Sequence, residues 1–167
     1  SFYKFISSYR SGGMTGVVGI LRCGEGSTVA LRFDIDALGV VEATEADHFP
    51  AAEGFASVNH GVMHACGHDF HTASLLGAVM ALAKRKESLP GNVLFVFQPG
   101  EEHGTGAKEV VASGIFEKHP PKAFFSLHVK PDIPAGKIGI RKGSIMAALC
   151  CFSIDIHGAI EGNKGYT

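Results

Sequence analysis

The sequence predicts an α/β domain, a mixed or parallel sheet with helices packed on it, and three observations carry that prediction. Short apolar or β-branched runs alternate with helical periodicity in the order strand, helix, strand, helix, strand. Twenty-two glycines, few aromatic residues and no tryptophan imply many tight turns and close backbone approaches. Chemically capable side chains, namely Asp34, Asp36, Glu101, Glu102 and His128, follow the carboxyl ends of predicted strands. That edge is where open α/β sheets bind ligands.

Taken in order, Val17 to Leu21 and Thr28 to Phe33 read as two strands. Gly24-Glu25-Gly26 between them predicts a hairpin or a closely spaced pair. Residues 37 to 61 are polar and irregular, with Pro50, Gly54 and Gly61. A helix is predicted from His71 or Thr72, because Leu75, Leu76, Val79, Met80, Leu82 and Ala83 recur at helical spacing. Lys84-Arg85-Lys86 falls at its negative dipole end and Pro90-Gly91 stops it. Val93 to Phe97 has the pattern of a buried strand and leads directly into Glu101-Glu102. A second helix is predicted over Ala107 to Ser113 with Gly114 as its cap, then a strand over Ala123 to Leu127 with His128 at its end. From Lys137 the character changes: Lys137 to Arg141 and Leu149 to Ile156 alternate without an intervening helix, as at the start of a different, antiparallel unit.

Composition narrows the functional classes. The chain has 167 residues, 46% of them hydrophobic, enough for one domain with a sizeable core. A formal net charge of −1, with no basic run longer than Lys84-Arg85-Lys86, argues against a nucleic-acid or membrane partner. The longest apolar run, Ala73 to Ala83, is too short to span a bilayer. Cys23, Cys66, Cys150 and Cys151 form neither a C-x-x-C pair nor a disulfide framework, which predicts a reduced, cytoplasmic protein. Because residue 1 is not methionine, there is room for a removed targeting segment.

The stretch Met63-His64-Ala65-Cys66-Gly67-His68-Asp69-Phe70-His71 concentrates a thiol and three imidazoles beside a carboxylate. A lone buried cysteine ordinarily just packs. Cys66 and His68 in a C-x-H arrangement can share one metal or straddle two if the backbone bends at Gly67. Asp69 is a candidate for orienting a ligand imidazole, while His64 and His71 remain open between ligation, helix capping and solvation. Adjacent Glu101 and Glu102 cannot both point the same way, so one can bind a metal while its neighbour holds a water as general base. His128, at the matching end of the next strand, is a further ligand candidate.

Three segments, Ala30-Leu31-Arg32-Phe33-Asp34-Ile35-Asp36-Ala37-Leu38, Met63 to Asp69, and Phe97-Gln98-Pro99-Gly100-Glu101-Glu102, resemble in order the signatures of a metallo-amidohydrolase family. It comprises aminoacylases, hippurate hydrolases and indoleacetyl-amino-acid hydrolases, related to di-zinc carboxypeptidases. The resemblance runs from about Thr15 to Ile156, and Gly54-Phe55-Ala56-Ser57 resembles the subgroup cleaving aminobenzoyl-glutamate-type amides. It implies a zinc-peptidase-like mixed sheet flanked by helices, with a small α+β lid inserted that often mediates homodimerisation. It further implies Cys66, His68, Glu102 and His128 as ligands of two divalent metal ions, zinc or manganese, with Glu101 as general base and Asp36 supporting the ligands from behind.

On that resemblance, residues 1–145 are expected to be the N-terminal part of the catalytic domain and 146–167 the beginning of the lid. Gly100 replaces the family's usual alanine; the histidine expected after Ile156, and a last histidine ligand, have no counterpart through Thr167. The expected reaction is hydrolysis of an N-acyl amino acid or related amide by a metal-activated water. Two alternatives accompany it: an inactive metal-binding fragment, and a thiol amidase in which Cys66 attacks with His68 or His71 as base.

Overall fold

The structure is a computed structural model that describes residues 5–11, 14–148, 150 and 152–158. The chain divides into two units, Ser1–Lys130 and Pro131–Thr167. The first holds all the regular elements among the described residues: strands β1 (Phe5–Ser11), β2 (Met14–Leu21) and β3 (Thr28–Asp34), helices α1 (Phe49–Ala52) and α2 (His68–Ala83), and a 3₁₀ turn over Lys86–Ser88. Strand β4 (Asn92–Gln98), helices α3 (Gly106–Ala112) and α4 (Ile115–Lys118), and strand β5 (Pro121–Phe125) follow.

The five strands form one mixed sheet in the order β1-β2-β4-β3-β5. Strands β3, β4 and β5 run parallel, with Ala30 opposite Leu94 on one side and Phe124 on the other, while β1 and β2 are antiparallel additions. The hairpin or closely spaced pair expected of β2 and β3 is therefore not formed, because β4 lies between them. Val93 to Gln98 are all buried, so β4 needs neighbours on both edges as well as cover on both faces. Gly26 and Gly91 serve a close backbone approach instead: a Cβ on Gly26 would lie 1.9 Å from the Pro90 carbonyl oxygen, and one on Gly91 would lie 2.3 Å from that of Ser27.

Helix α2 covers one face, where Leu75 packs with Leu21, Phe33, Val93, Phe95 and Phe97. On the other face Val110 of α3 packs with Val18, Ile20, Ala30, Leu94 and Val96. The connections after β3 and β4 thus leave towards opposite faces, which opens a crevice at the carboxyl ends of these strands.

Several element boundaries differ from expectation. Helix α2 begins at His68, three residues before His71, because Gly67 takes a left-handed conformation (φ 80°) that turns the chain into the helix. It ends at Ala83, before the 3₁₀ turn, rather than at Pro90. Its buried side continues from His68 and His71 through Leu75, with Val79, Leu82 and Ala83 partly covered, whereas Leu76 and Met80 face outward. Helix α3 is displaced by one residue, Gly114 (φ 72°) opens the short α4 as well as closing α3, and β5 starts at Pro121 and ends at Phe125, three residues before His128.

The irregular stretch after Asp36 closes on itself at its base through the Leu38–Met63 bridge. Glu42 ties it internally, to His48 and to the Ser57 backbone N–H.

In the second unit no regular element occurs among the described residues. The strands expected over Lys137 to Arg141 and Leu149 to Ile156 are not formed there; residues 149 and 151 lie outside the described residues. Ile138, Ile140, Phe152, Ile154 and Ile156 are exposed, with no sheet partner among the described residues to satisfy their alternation.

Candidate metal centre

Four chain segments deliver side chains to the crevice. The end of β3 and the segment after it bring Asp34 and Asp36, the bend at Gly67 brings Cys66 and the first turn of α2, and the loop after β4 brings Glu101 and Glu102. The segment after β5 adds His128.

His68 is fully buried at the centre. Its Nδ1 lies 2.9 Å from the Asp36 carbonyl oxygen and 3.2 Å from Asp36 Oδ1. Both partners can only accept, so Nδ1 donates, and in the neutral ring the lone pair is on Nε2. Around that Nε2 stand Glu102 Oε1 at 3.6 Å, Asp34 Oδ1 at 3.8 Å and Glu101 Oε2 at 3.9 Å. His68 Nε2 and Glu102 Oε1 are buried and have no hydrogen-bond partner among the described residues. Electron-pair donors facing one another without a proton between them are costly unless a cation is shared.

Asp36 also accepts from the Glu102 backbone N–H through Oδ2 at 3.0 Å, so one carboxylate orients His68 and anchors the glutamate loop. The Glu102 side chain is mostly covered, whereas that of Glu101 is 44% exposed. Cys66 Sγ lies 3.4 Å from His128 Nε2. His128 donates from Nδ1 to the Val129 carbonyl at 2.7 Å, which again puts the lone pair of the neutral ring on Nε2. Burial pushes the Cys66 thiol up to about 11, and the neighbouring carboxylates of Glu102, Glu101 and Asp34 add to the rise.

The ligating atoms of Cys66, His68 and His128 lie within 4.8 Å of one another, as do those of His68, Glu101 and Glu102. The two sets share His68. A thiol, imidazoles and carboxylates around orphaned buried donor atoms suit a borderline-soft divalent ion.

Two members of this neighbourhood were visible in the sequence, but without a settled role. Asp34 is buried and accepts from His71, and also from Arg32 Nη1 at 3.0 Å. His71 is fully buried, one turn along α2 from His68 on the side that continues to Leu75. That i, i+3, i+7 spacing is the signal that could have separated it from His64, which is exposed. Asp69 does not orient an imidazole; it is exposed and accepts from the Phe70 N–H at the start of its own helix.

Residues 30–164 match Peptidase family M20/M25/M40, and the chain belongs to that family. It is 45% identical over 145 residues to N-acetylcysteine deacetylase of Bacillus subtilis, a match covering 86% of this chain and 36% of that protein. It is 43% identical over 145 residues to IAA-amino acid hydrolase ILR1-like 4 of Arabidopsis thaliana, covering 87% and 31%. The solved structure of the YXEP protein of Bacillus subtilis, described as a dinuclear metal-binding peptidase of the M20 family, superposes with a TM-score of 0.73 at 41% identity, covering 84% of this chain and 36% of that one. The mixed sheet with flanking helices is therefore the fold of this family. The chain spans about a third of the length of the curated relatives it matches.

Proposed function

We propose that this chain contributes most of a two-metal centre to an enzyme that hydrolyses the amide bond of N-acyl amino acids or related amides. The observation that carries the reading is the buried, unpaired couple His68 Nε2 and Glu102 Oε1, set among Cys66, His128 and Glu101. Cys66, His68, Glu102 and His128 would hold the metal. Bound divalent ions would supply Lewis acidity, lowering the pKa of a water and polarising the amide carbonyl.

The side chains then divide the remaining work. Glu101, more exposed and not anchored by Asp36, takes the proton of the attacking water on a carboxylate oxygen and passes it to the departing amine nitrogen. Water and amide become acid and amine, with Glu101 returned to its starting state. Asp36 keeps the His68 lone pair directed into the site and holds the Glu102 backbone. A thiolate ligand favours zinc, and the imidazoles and carboxylates also accept manganese.

Residues 1–145 then belong to the catalytic domain and 146–167 to the beginning of a lid that mediates homodimerisation, in a cytoplasmic protein. No helix among the described residues is long and apolar enough to cross a membrane. Two relatives support the substrate class, since their names describe an N-acetyl amino acid and an indoleacetyl-amino-acid conjugate. The thiol-amidase alternative is disfavoured by chemistry: a nucleophilic cysteine needs a lowered pKa, and Cys66 is pushed the opposite way.

Exchange of the two glutamates tests the reading. Glu101→Gln should retain metal and lose turnover on N-acyl amino acids by about a hundredfold or more, whereas Glu102→Gln should lose metal. Interchanged phenotypes would reverse the two roles. Full turnover after exhaustive chelation would remove the metal from the mechanism altogether, and metal binding without turnover in the complete protein would favour the inactive alternative.

A further inference from the structure

His71 and Asp34 lie among the candidate ligands, and their own ligating atoms cluster with that of His68. Hydrogen bonding nevertheless gives them another task. The Val129 backbone N–H donates to His71 Nε2 at 2.9 Å, so that nitrogen carries no proton. The proton must be on Nδ1, which donates to Asp34 Oδ1 at 2.5 Å. Both ring nitrogens are thereby committed, and His71 has no lone pair left for a cation.

The chain of contacts continues on either side. Asp34 is fixed from behind by Arg32, whose Nε also donates to Gln98 Oε1 at 2.8 Å. Ahead, Val129 accepts from His128 Nδ1 through its carbonyl. Val129 is therefore gripped at its N–H by His71 while its carbonyl sets the tautomer of His128. The His71 ring also meets that of His128 edge-on, with centroids 4.6 Å apart, and stacks on His68 at 5.2 Å.

We propose that the buried Asp34–His71 pair is a positioning device that, through the Val129 backbone, holds His128 with its Nε2 lone pair towards Cys66. The inference rests on the metal-centre reading above and assigns Asp34 and His71 as positioning residues rather than ligands. It separates two imidazoles one helical turn apart: His68 offers Nε2 to a cation, His71 offers Nε2 to a peptide N–H.

Nitrogen-15 spectra of the histidine side chains in the full protein, first metal-free and then titrated with zinc, test this without mutation. Expected are a protonated Nδ1 and an unprotonated Nε2 on His71 in both states, while Nε2 of His68 and of His128 shift with zinc. A His71 nitrogen that shifts as a ligand would overturn the inference while leaving a metal centre. Zinc that moves none of the three would overturn the metal-centre reading and this inference with it.

Variants supply a second readout. His71→Phe keeps the ring but orphans the Val129 N–H, and cobalt(II) affinity should fall about ten- to a hundredfold, with a weakened thiolate-to-cobalt absorption band. In His71→Gln the side-chain oxygen can again accept from Val129, so affinity and band should recover substantially. Equal affinity and spectrum in His71→Phe and the parent protein would overturn the positioning role. Should His71→Phe fail to fold, an affinity of His71→Gln as low as that of His128→Ala would do the same.

Discussion

Cys66 shows how surroundings set the terms on which a side chain can hold a cation. Partial burial beside three carboxylates keeps its thiol protonated well above neutrality. A metal ligand must be the thiolate. Ion uptake should therefore release a proton from Cys66, and the apparent affinity should rise with pH by about tenfold per unit for that one proton, throughout the range below the thiol's raised value. Calorimetry in buffers of different ionisation enthalpy would count the released protons, and Cys66→Ala should lower the count by one. An unchanged count would remove Cys66 from the ligand set. His68 and His128 differ from Cys66 because hydrogen bonds to Asp36 and to Val129 already direct their lone pairs inward.

At the scale of an element, α2 joins the core to the site along one line: His68 and His71 at its start and Leu75 one turn further are all fully buried. Two glycines of this region should respond oppositely to alanine. Gly67 has φ 80°, and its added Cβ would lie 2.4 Å from Val129 Cγ2. Gly67→Ala should destabilise by about 1–2 kcal/mol from the left-handed conformation alone, and should also displace Val129. Gly77, inside the helix, would meet nothing within 4 Å. Gly77→Ala should stabilise by roughly 0.5–1 kcal/mol. Denaturant midpoints decide both signs, and metal retention should fall only in the Gly67 variant.

Across the whole molecule, acid should act through the same crevice. Burial alone would raise the Asp34 carboxyl, but the hydrogen bond from His71 and the charge of Arg32 outweigh it and hold the group below the ordinary carboxylate range. A depressed folded value contributes stability that is complete above the unfolded value near ~4 and is lost as pH falls through the folded one. Unfolding midpoints of the metal-free protein should therefore decline below about pH 4, and Asp34→Asn should flatten that decline. A slope unchanged by the substitution would place the acid sensitivity elsewhere. The second unit should differ from the first: its described residues form no regular element, so trypsin should cut at the exposed Lys137, Arg141 and Lys142 before it enters the sheet.

By itself the sequence determined the class of fold and the set of chemically capable residues. Apolar runs such as Val93 to Phe97 and the helical spacing of Leu75, Val79 and Leu82 are local patterns, and local patterns declare the elements. The signatures around Asp36, Cys66 and Glu101 carried the family resemblance in the same way, because each lies within a few residues of chain. Tertiary structure alone decided that β4 separates β2 from β3, since strand order depends on which faces and edges must be covered, not on proximity in sequence. It alone separated His68 from His71, two imidazoles three residues apart in sequence. One faces the carboxylates of Glu101 and Glu102 and the other a peptide N–H at Val129, partners that lie between 30 and 60 residues away. Which proton sits on which nitrogen follows from those distant partners, and no local pattern contains them.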